Sequence, residues 1–216
     1  MIPSSKPNVV SGAHSVPVRP PALFANLALG SPLLAGSAQP VETGWDRIEA
    51  ELMFWKKSDP FHFVFPDISG DFDIPVRIES FTPAHLYSKA GLMIRENMNA
   101  DSAHLMFLVF AGDAPRNSDL SAYGMQFRPA TGADCQGIYP SGRPPEFPAA
   151  YSNFWLRVAR RGNRFSAFAS TDGKSWKRYW EQVRPLANPV MVGPALTSYN
   201  PSVAAKAAFR NDTESK

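Results

Sequence analysis

The sequence contains a single cysteine, Cys135, among its 216 residues. One thiol excludes an internal disulfide and any cysteine-rich zinc site. Scarcity of cysteine is typical of a reducing compartment, so we expect a cytoplasmic location. The histidines do not indicate a metal site either, because His62, His85 and His104 lack the close spacing of paired histidine ligands. We therefore expect no metal and no other cofactor.

Long hydrophobic runs are also missing. No apolar segment reaches the roughly 20 residues that cross a membrane as a helix, so we expect no membrane span. Residues 22–38 include an apolar stretch that follows Arg19 and ends in small residues, as a secretory signal does. Because Gly30-Ser31-Pro32 interrupts this stretch, we interpret it as a first strand with its turn. Secretion is the alternative if the true start lies near residue 19.

Neither sign of charge is in large excess. The 22 basic residues exceed the 19 acidic ones by three, which is too little for the positive footprint of a nucleic-acid-binding domain. We therefore expect no nucleic-acid partner, and none of these patterns predicts an oligomeric state. Long helices are disfavoured too, because the 21 prolines and 14 glycines favour turns.

What the sequence does contain is a series of short strands. Residues 154–158 alternate between two faces, Arg161-Gly162-Asn163 turns the chain, and Phe165 lies on the return strand. Asp172-Gly173 predicts a second tight hairpin, with the next strand beginning at Ser175-Trp176. The same reasoning predicts further strands within residues 27–38, 45–54, 61–65, 71–81, 87–98, 104–110, 123–128, 190–198 and 204–209.

Two of these segments have a second interpretation or an irregularity. Residues 45–54 also fit a short helix, since Ile48, Leu52 and Trp55 have helical spacing, but the strand-rich context favours a strand. Pro75 cannot donate to a ladder, so we expect an edge or a bulge there.

The spacing of the strands predicts the architecture. Short strands at 8–12-residue intervals, with turn signals between them, indicate an all-β fold, a two-sheet antiparallel sandwich. We expect this domain to span residues 25–210. A flexible proline-rich arm at 1–24 and a polar tail at 211–216 flank it, and residues 131–150 form a long irregular loop.

Several motifs, in their order along the chain, resemble one protein family. They are Asp59-Pro60-Phe61-His62-Phe63, Gly70-Asp71, residues 90–96 (AGLMIRE), Gln126-Phe127-Arg128, Trp155-Leu156-Arg157 and residues 170–176 (STDGKSW). This set is similar to the regulation-of-enolase-type family, a group of bacterial and fungal domains in the concanavalin A-like lectin/glucanase superfamily. The resemblance implies a jelly-roll sandwich of two curved sheets, with no agreed catalytic residues. The chain departs from the family at its Asp-Ile-Trp-Gly turn, of which only Trp55 is retained.

Catalytic patterns are weak. A glycosidase needs two carboxylates about 5–10 Å apart across the scissile bond. Asp71 and Asp73 share one face, but they lie at a strand entry beside a glycine turn, where a solvated strand end is the simpler interpretation. No Gly-x-Ser-x-Gly elbow is present. We therefore predict no catalytic residues and expect a protein that is not an enzyme. The alternatives are a glycoside hydrolase or lyase with an acid pair of another pattern, and a protein–protein interaction module without a small ligand.

One set of residues is the candidate ligand site. If the apolar residues of the strands face the core, six others face outward, namely Arg77, Arg95, Gln126, Arg128, Trp155 and Arg157. Aromatic stacking with nearby Arg and Gln donors suits sugar hydroxyls or an acidic sugar. The alternative is a solvated face on which these arginines pair with Glu79 and Glu96 across strands. We predict a lectin-like domain that binds a carbohydrate on the concave sheet face, where lectins and glucanases of the resembling superfamily hold glycans.

Overall fold

The computed structural model describes residues 25–29, 37–41, 44–50, 61–110, 123–139 and 154–211. Within these ranges the chain forms fifteen β-strands and no helix, and so no helix there is long and apolar enough to cross a membrane. In chain order, β1 to β15 are Ala25–Leu29, Ser37–Val41, Gly44–Ala50, Phe61–Phe65, Asp67–Ile68, Phe72–Thr82, Lys89–Arg95, His104–Phe110, Tyr123–Arg128, Gln136–Ile138, Phe154–Arg161, Arg164–Ser170, Lys177–Val183, Val190–Thr197 and Ala205–Arg210.

The strands form two sheets. Sheet A has the order β1-β4-β14-β7-β8-β9-β10, with β5 paired to β14 beside this path, and sheet B has the order β13-β12-β11-β6-β15-β3-β2. The pairings within each sheet are antiparallel. The predicted all-β, two-sheet antiparallel sandwich is therefore confirmed. The finer assignment to a jelly roll of the concanavalin A type stays a prediction.

The main core lies between the sheets and follows the period-2 pattern of the sequence. Its buried side chains include, from β6, β7, β8, β9 and β11, Phe72, Val76, Ile78, Leu92, Ile94, Leu105, Phe107, Met125, Phe127, Phe154, Leu156 and Val158. Burying a side chain of this size stabilises the fold by about 1.5–3 kcal/mol. The sheets therefore meet on the faces that the alternation predicts.

The outer faces of the two sheets differ. On sheet A the outward side chains form a second buried apolar cluster of Phe63, Met93, Met106, Leu108, Phe110 and Ala195. Every residue of β7, β8 and β9 is buried, which explains the almost continuous apolar run of β8. On sheet B most outward residues of β11 and β12 are partly buried or exposed, and the exceptions among them are Ala159 and Ser170, which are buried. Of these two outer faces, sheet B therefore presents the more accessible one.

The β11–β12–β13 meander confirms one predicted turn and corrects another. Gly162 has a φ of +58° between paired Arg161 and Arg164, as a two-residue hairpin turn requires. The tight hairpin predicted at Asp172-Gly173 is wrong, because β12 ends at Ser170 and β13 begins at Lys177. The Asp172 carboxylate accepts the amide N–H groups of the two residues that follow Gly173. These bonds close a loop within residues 171–176 in place of a ladder.

Most other predicted strands are present. Residues 44–50 form β3, which confirms the strand interpretation. Pro75 on β6 pairs with Arg157 of β11. The described ladder between β6 and β15 ends at Arg77 and does not reach Pro75, so the edge expected there stays a prediction. Residues 136–138 form the short strand β10 inside the predicted loop. The predicted arm at 1–24, the loop residues 140–150, the tail residues 212–216 and Trp55 lie outside the described residues.

Candidate functional site

The six predicted site residues lie on different sheets. Arg95 is on β7, and Gln126 and Arg128 are on β9, all in sheet A. The other three, Arg77 on β6 with Trp155 and Arg157 on β11, belong to sheet B. The outer faces of a two-sheet sandwich point in opposite directions, so the expectation of one shared face is wrong. Alternation indicates a side of a strand but not the sheet to which that strand belongs. Their roles in ligand binding stay predictions.

The two arginines on sheet A anchor loops. Arg95 and Arg128 are 0% and 1% exposed. Arg95 donates from Nε to the Asn97 carbonyl at 3.0 Å. Arg128 donates from Nε to the Ala133 carbonyl at 3.0 Å and from Nη1 to the Ser102 carbonyl at 2.9 Å. Burial of a guanidinium is tolerated where its N–H groups have acceptors, and here the acceptors are the main chains of the loops after β7 and β9.

The remaining polar groups on this face are buried with them. Gln126 donates from Nε2 to the hydroxyl of Tyr139. His104 is also buried, with its Nδ1 3.3 Å from Arg128 Nη1 and its Nε2 3.9 Å from the sulfur of Cys135. Among the described side chains, no group of three or more His, Cys, Asp or Glu residues is placed to hold a metal ion. This half of the predicted set therefore forms a buried polar network behind sheet A.

The three residues on sheet B come together on its outer face. Trp155 lies directly opposite Arg77 in the β11–β6 ladder, and the Arg77 guanidinium carbon is 5.9 Å from the indole centroid. The Arg157 guanidinium carbon is 4.2 Å from the ring centroid of Phe168 and 4.6 Å from that of Trp176. Guanidinium groups stack favourably on aromatic faces at such distances. We call these five residues the Trp155–Arg157 surface.

The loop after β12 holds the aromatic part of this surface. Asp172 accepts the amides of Lys174 at 2.8 Å and Ser175 at 2.7 Å, and the Ser170 hydroxyl accepts the amide of Gly173 at 2.9 Å. The amide hydrogen bonds from Ser175 and Lys174 hold the pKa of the Asp172 carboxyl well below its usual range. This bonded loop positions Trp176 beside Arg157.

The Trp155 indole packs against the backbone of Gly173. A Cβ on Gly173 would lie 2.8 Å from Trp155 Cε2 and 3.0 Å from Cζ2, so the ring packs against the glycine backbone. The φ of Gly173 is +68°, a left-handed conformation that favours glycine. Both the backbone conformation and the close approach therefore require glycine at this position.

Each of three carboxylates on this outer face lies between two arginines. Asp73 Oδ1 is 3.6 Å from Arg157 and its Oδ2 is 3.8 Å from Arg161. Glu181 contacts Arg164 at 3.0 Å and Arg178 at 3.1 Å. The third is Glu79, which pairs with Arg77 and Arg210 at 3.5 and 2.6 Å.

Local interactions shift the pKa values of two groups on this face. The pKa of Glu181 is lowered, chiefly by the hydrogen bond that the Ser166 hydroxyl donates to it at 2.9 Å and then by its arginine neighbours. Burial lowers the pKa of Arg157, but a guanidinium stays charged across the physiological range. The face therefore carries fixed positive charge around ionised carboxylates.

The alternative of simple ion pairing holds in part. Arg77 pairs with Glu79, although both residues lie on β6 and the expected pairing was across strands. Glu96 instead accepts the backbone amide of Ala187 at 2.9 Å. Ion pairing thus accounts for one of the two expected carboxylate partners.

Phe168 and Trp176 were missed by the sequence-based selection. A two-residue turn that pairs Arg161 with Arg164 places Phe168 directly opposite Arg157, so the register could have been counted from the turn. Trp176 belongs to the motif at residues 170–176, in which the sequence predicts the start of a strand and not a ligand contact. The contact of Trp176 with Arg157 depends on the loop hydrogen bonds, for which the sequence carries no periodic signal.

Several solved structures are similar to this chain. A functionally unknown protein from Saccharomyces cerevisiae superposes with a TM-score of 0.65 at 20% identity, covering 87% of this chain and 92% of its own. The carbohydrate-binding module CBM66 from Bacillus subtilis gives a TM-score of 0.45 at 13% identity, covering 82% and 89%. The exoplasmic/lumenal domain of VIP36 in its Ca²⁺/Man-bound form gives 0.48 at 10% identity, covering 90% and 85%.

No protein-family model and no curated protein sequence matches the chain. The resemblance to the regulation-of-enolase-type family therefore stays a prediction. The likeness to the yeast protein, at 20% identity, shows a shared fold alone.

Proposed function

We propose that this protein is a non-catalytic carbohydrate-binding domain and that its ligand lies on the Trp155–Arg157 surface. The observation that carries the proposal is the gathering of three aromatic side chains, Trp155, Phe168 and Trp176, around guanidinium groups on the outer face of sheet B. Aromatic rings pack against the apolar faces of sugar rings, and arginine N–H groups donate to sugar hydroxyls.

The surface is held in shape before any ligand arrives. Trp155 and Arg157 stand on a strand that is paired on both sides, Phe168 stands on the neighbouring strand, and Trp176 follows the bonded loop around Asp172. A preorganised surface loses less conformational entropy on binding. This favours a binding role for the face.

A non-catalytic role fits the carboxylates of this face. The candidate acid pair is engaged, because Asp71 accepts the Gly162 amide at 2.7 Å and Asp73 lies between two arginines. A glycosidase acid needs a raised pKa to hold its proton. The pKa of Glu181, by contrast, is lowered by its hydrogen bonds.

The proposal retains half of the residues predicted from the sequence. Arg77, Trp155 and Arg157 belong to the proposed surface. Arg95 and Arg128 are left out because their buried N–H groups anchor loops. Gln126 is left out because it is 1% exposed and donates to Tyr139.

A glycan array with and without calcium, followed by calorimetric titration of the hits, tests the proposal. We expect Trp155→Ala and Trp176→Ala to weaken binding about tenfold or more, which corresponds to the loss of one aromatic contact. Tyr87→Ala is the matched control, since Tyr87 is an exposed aromatic outside this surface, and it should leave the affinity unchanged. A blank array with folded protein, or wild-type affinity in both tryptophan variants, rejects the proposal.

A further inference from the structure

We propose that the glycan is acidic and that its carboxylate or sulfate groups are bound by Arg157, Arg161, Arg164 and Arg178. This inference rests on the proposed function and adds the chemical class of the ligand. It is drawn from the arrangement of charges beside the aromatic part of the Trp155–Arg157 surface.

The four arginines surround a floor of small side chains. In the ladder register, Ala159 on β11 lies opposite Ser166 on β12, and the same row continues to Asp73 on β6 and to Glu181 on β13. Three strand spacings, or about 14 Å, separate the backbones of Asp73 and Glu181. The two residues between them in this row, Ala159 and Ser166, have small side chains, and the Ser166 hydroxyl donates to the Glu181 carboxylate at 2.9 Å.

The rows on either side of this floor are cationic. On one side, Arg157 and Phe168 are paired and Arg178 continues the row on β13. On the other side, Arg161 is paired with Arg164 at the hairpin end. A sugar residue on the floor would therefore have guanidinium groups along two of its edges and carboxylates at its two ends.

The four arginines lie around Asp73 and Glu181, and Asp71 lies at the hairpin end, where it accepts the Gly162 amide, so one positive charge is in excess. Arg164 and Arg178 share the single carboxylate of Glu181, and their side chains are 56% and 58% exposed. A guanidinium has five N–H donors, so donors remain for a planar anionic group, which arginine binds best.

The spacing favours an acidic polysaccharide over nucleic acid. A DNA duplex carries a charge every 1.7 Å or so, or about eight charges over 14 Å, whereas the net positive charge around this floor is one. Asp73 and Glu181 would repel such a dense polyanion. With a glycan as ligand, the carboxylates of Asp73 and Glu181 would instead accept hydrogen bonds from the sugar hydroxyls that lie between the acidic groups.

Matched pairs of polysaccharides test the charge directly. The pairs are polygalacturonic acid with its fully methyl-esterified form, and dextran sulfate with dextran, titrated against the wild type at low and high salt. We expect the acidic member to bind at least about tenfold more tightly, with an affinity that falls as salt is added. In the Arg164→Gln/Arg178→Gln variant, binding of the acidic member should weaken about tenfold or more.

The control is Lys206→Gln, an exposed cation on β15 away from the floor, and it should leave the affinity unchanged. Equal binding of neutral and acidic members overturns the acidic class while the proposed function stands. If the folded protein binds neither member and no neutral glycan, both proposals fail. Binding of duplex DNA or of vesicles rich in phosphatidylserine as tight as that of the acidic polysaccharide also overturns the inference, because the face would then be a general polyanion surface.

Discussion

Replacing Gly173 with alanine tests how Trp155 is held on the sheet. The new Cβ would lie 2.8 Å from Trp155 Cε2 and 3.1 Å from Cδ2, closer than packed carbon atoms approach. The variant also places a side chain on a residue with a φ of +68°. Two separate effects are therefore expected, one from the backbone and one from the indole.

Gly162→Ala measures the backbone effect alone. Gly162 has a φ of +58°, and a Cβ built there meets no atom within 4 Å. The left-handed conformation costs an alanine about 1–2 kcal/mol. At Gly173 an alanine has the same backbone cost and, in addition, a cost of overpacking against the indole. We expect this second cost to be about 1 kcal/mol, the low end of the usual range, because the half-buried indole can move away from the new methyl group. Gly173→Ala should therefore destabilise the fold by about 2–3 kcal/mol.

Urea unfolding of both variants, alone and combined with Trp155→Ala, separates the two effects. In the wild-type background, Gly173→Ala should cost about 1 kcal/mol more than Gly162→Ala. In the Trp155→Ala background this difference should vanish, because the ring that the methyl group meets is gone. Gly173→Ala should also weaken the glycan binding proposed above, whereas Gly162→Ala should not.

Equal costs for the two glycine variants in the wild-type background would refute this reasoning. That result would mean that Trp155 does not pack on Gly173 in solution. A difference that persists without Trp155 would refute it as well, since the extra cost would then arise from the loop itself.

Three further predictions concern the fold around the site. Arg128→Met should cost about 3 kcal/mol in urea unfolding, because it leaves buried loop carbonyls without a donor. The exposed-pair control Arg178→Met should cost under about 1 kcal/mol, and similar costs would contradict the anchoring role. Burial raises the pKa of Tyr179, so the stability that its neutral phenol contributes is present below about pH 10 and lost above it. The Tyr179→Phe variant lacks the hydrogen bond to the Ile138 carbonyl. As the pH rises from 9 to 11, its free energy of unfolding should nevertheless fall by less than that of the wild type. The lowered pKa of Glu181 contributes stability above about pH 4.3 that is lost as the pH falls. As the pH falls from 5 to 3, the free energy of unfolding of Glu181→Gln should therefore decrease by less than that of the wild type.

Most of the fold could be predicted because its signals are local. Alternation in residues 72–78 and 154–158 identifies the core faces of β6 and β11. Gly162 in a short turn predicts the β11–β12 hairpin and, by counting, its register. Each of these inferences needs only the residues of one or two neighbouring strands.

Sheet membership and the geometry of the loop after β12 could not be predicted from such local patterns. Arg95 and Arg157 follow the same outward pattern on their strands, but β7 and β11 pair in different sheets, a choice made by contacts between residues distant in sequence. The loop after β12 depends on the carboxylate of Asp172 capturing two amides. Asp-Gly is also typical of a tight turn, so the dipeptide alone does not distinguish the two outcomes.

The sequence does contain one signal that separates the buried arginines of sheet A from the accessible arginines of sheet B, namely the polarity of the neighbouring strands. On β8 the outward positions that follow His104 hold Met106, Leu108 and Phe110, so most of the strand has apolar side chains on both faces. A strand without a polar face is covered on both sides, and polar residues beside it must then find partners inside the protein. Arg95 and Arg128 flank β8 and are held by loop carbonyls. Arg157 instead neighbours β12, whose outward residues include Ser166 and Arg164. An outward arginine is therefore a candidate for ligand binding where its neighbouring strands are polar on the same side, and on this criterion the search for a ligand belongs on sheet B.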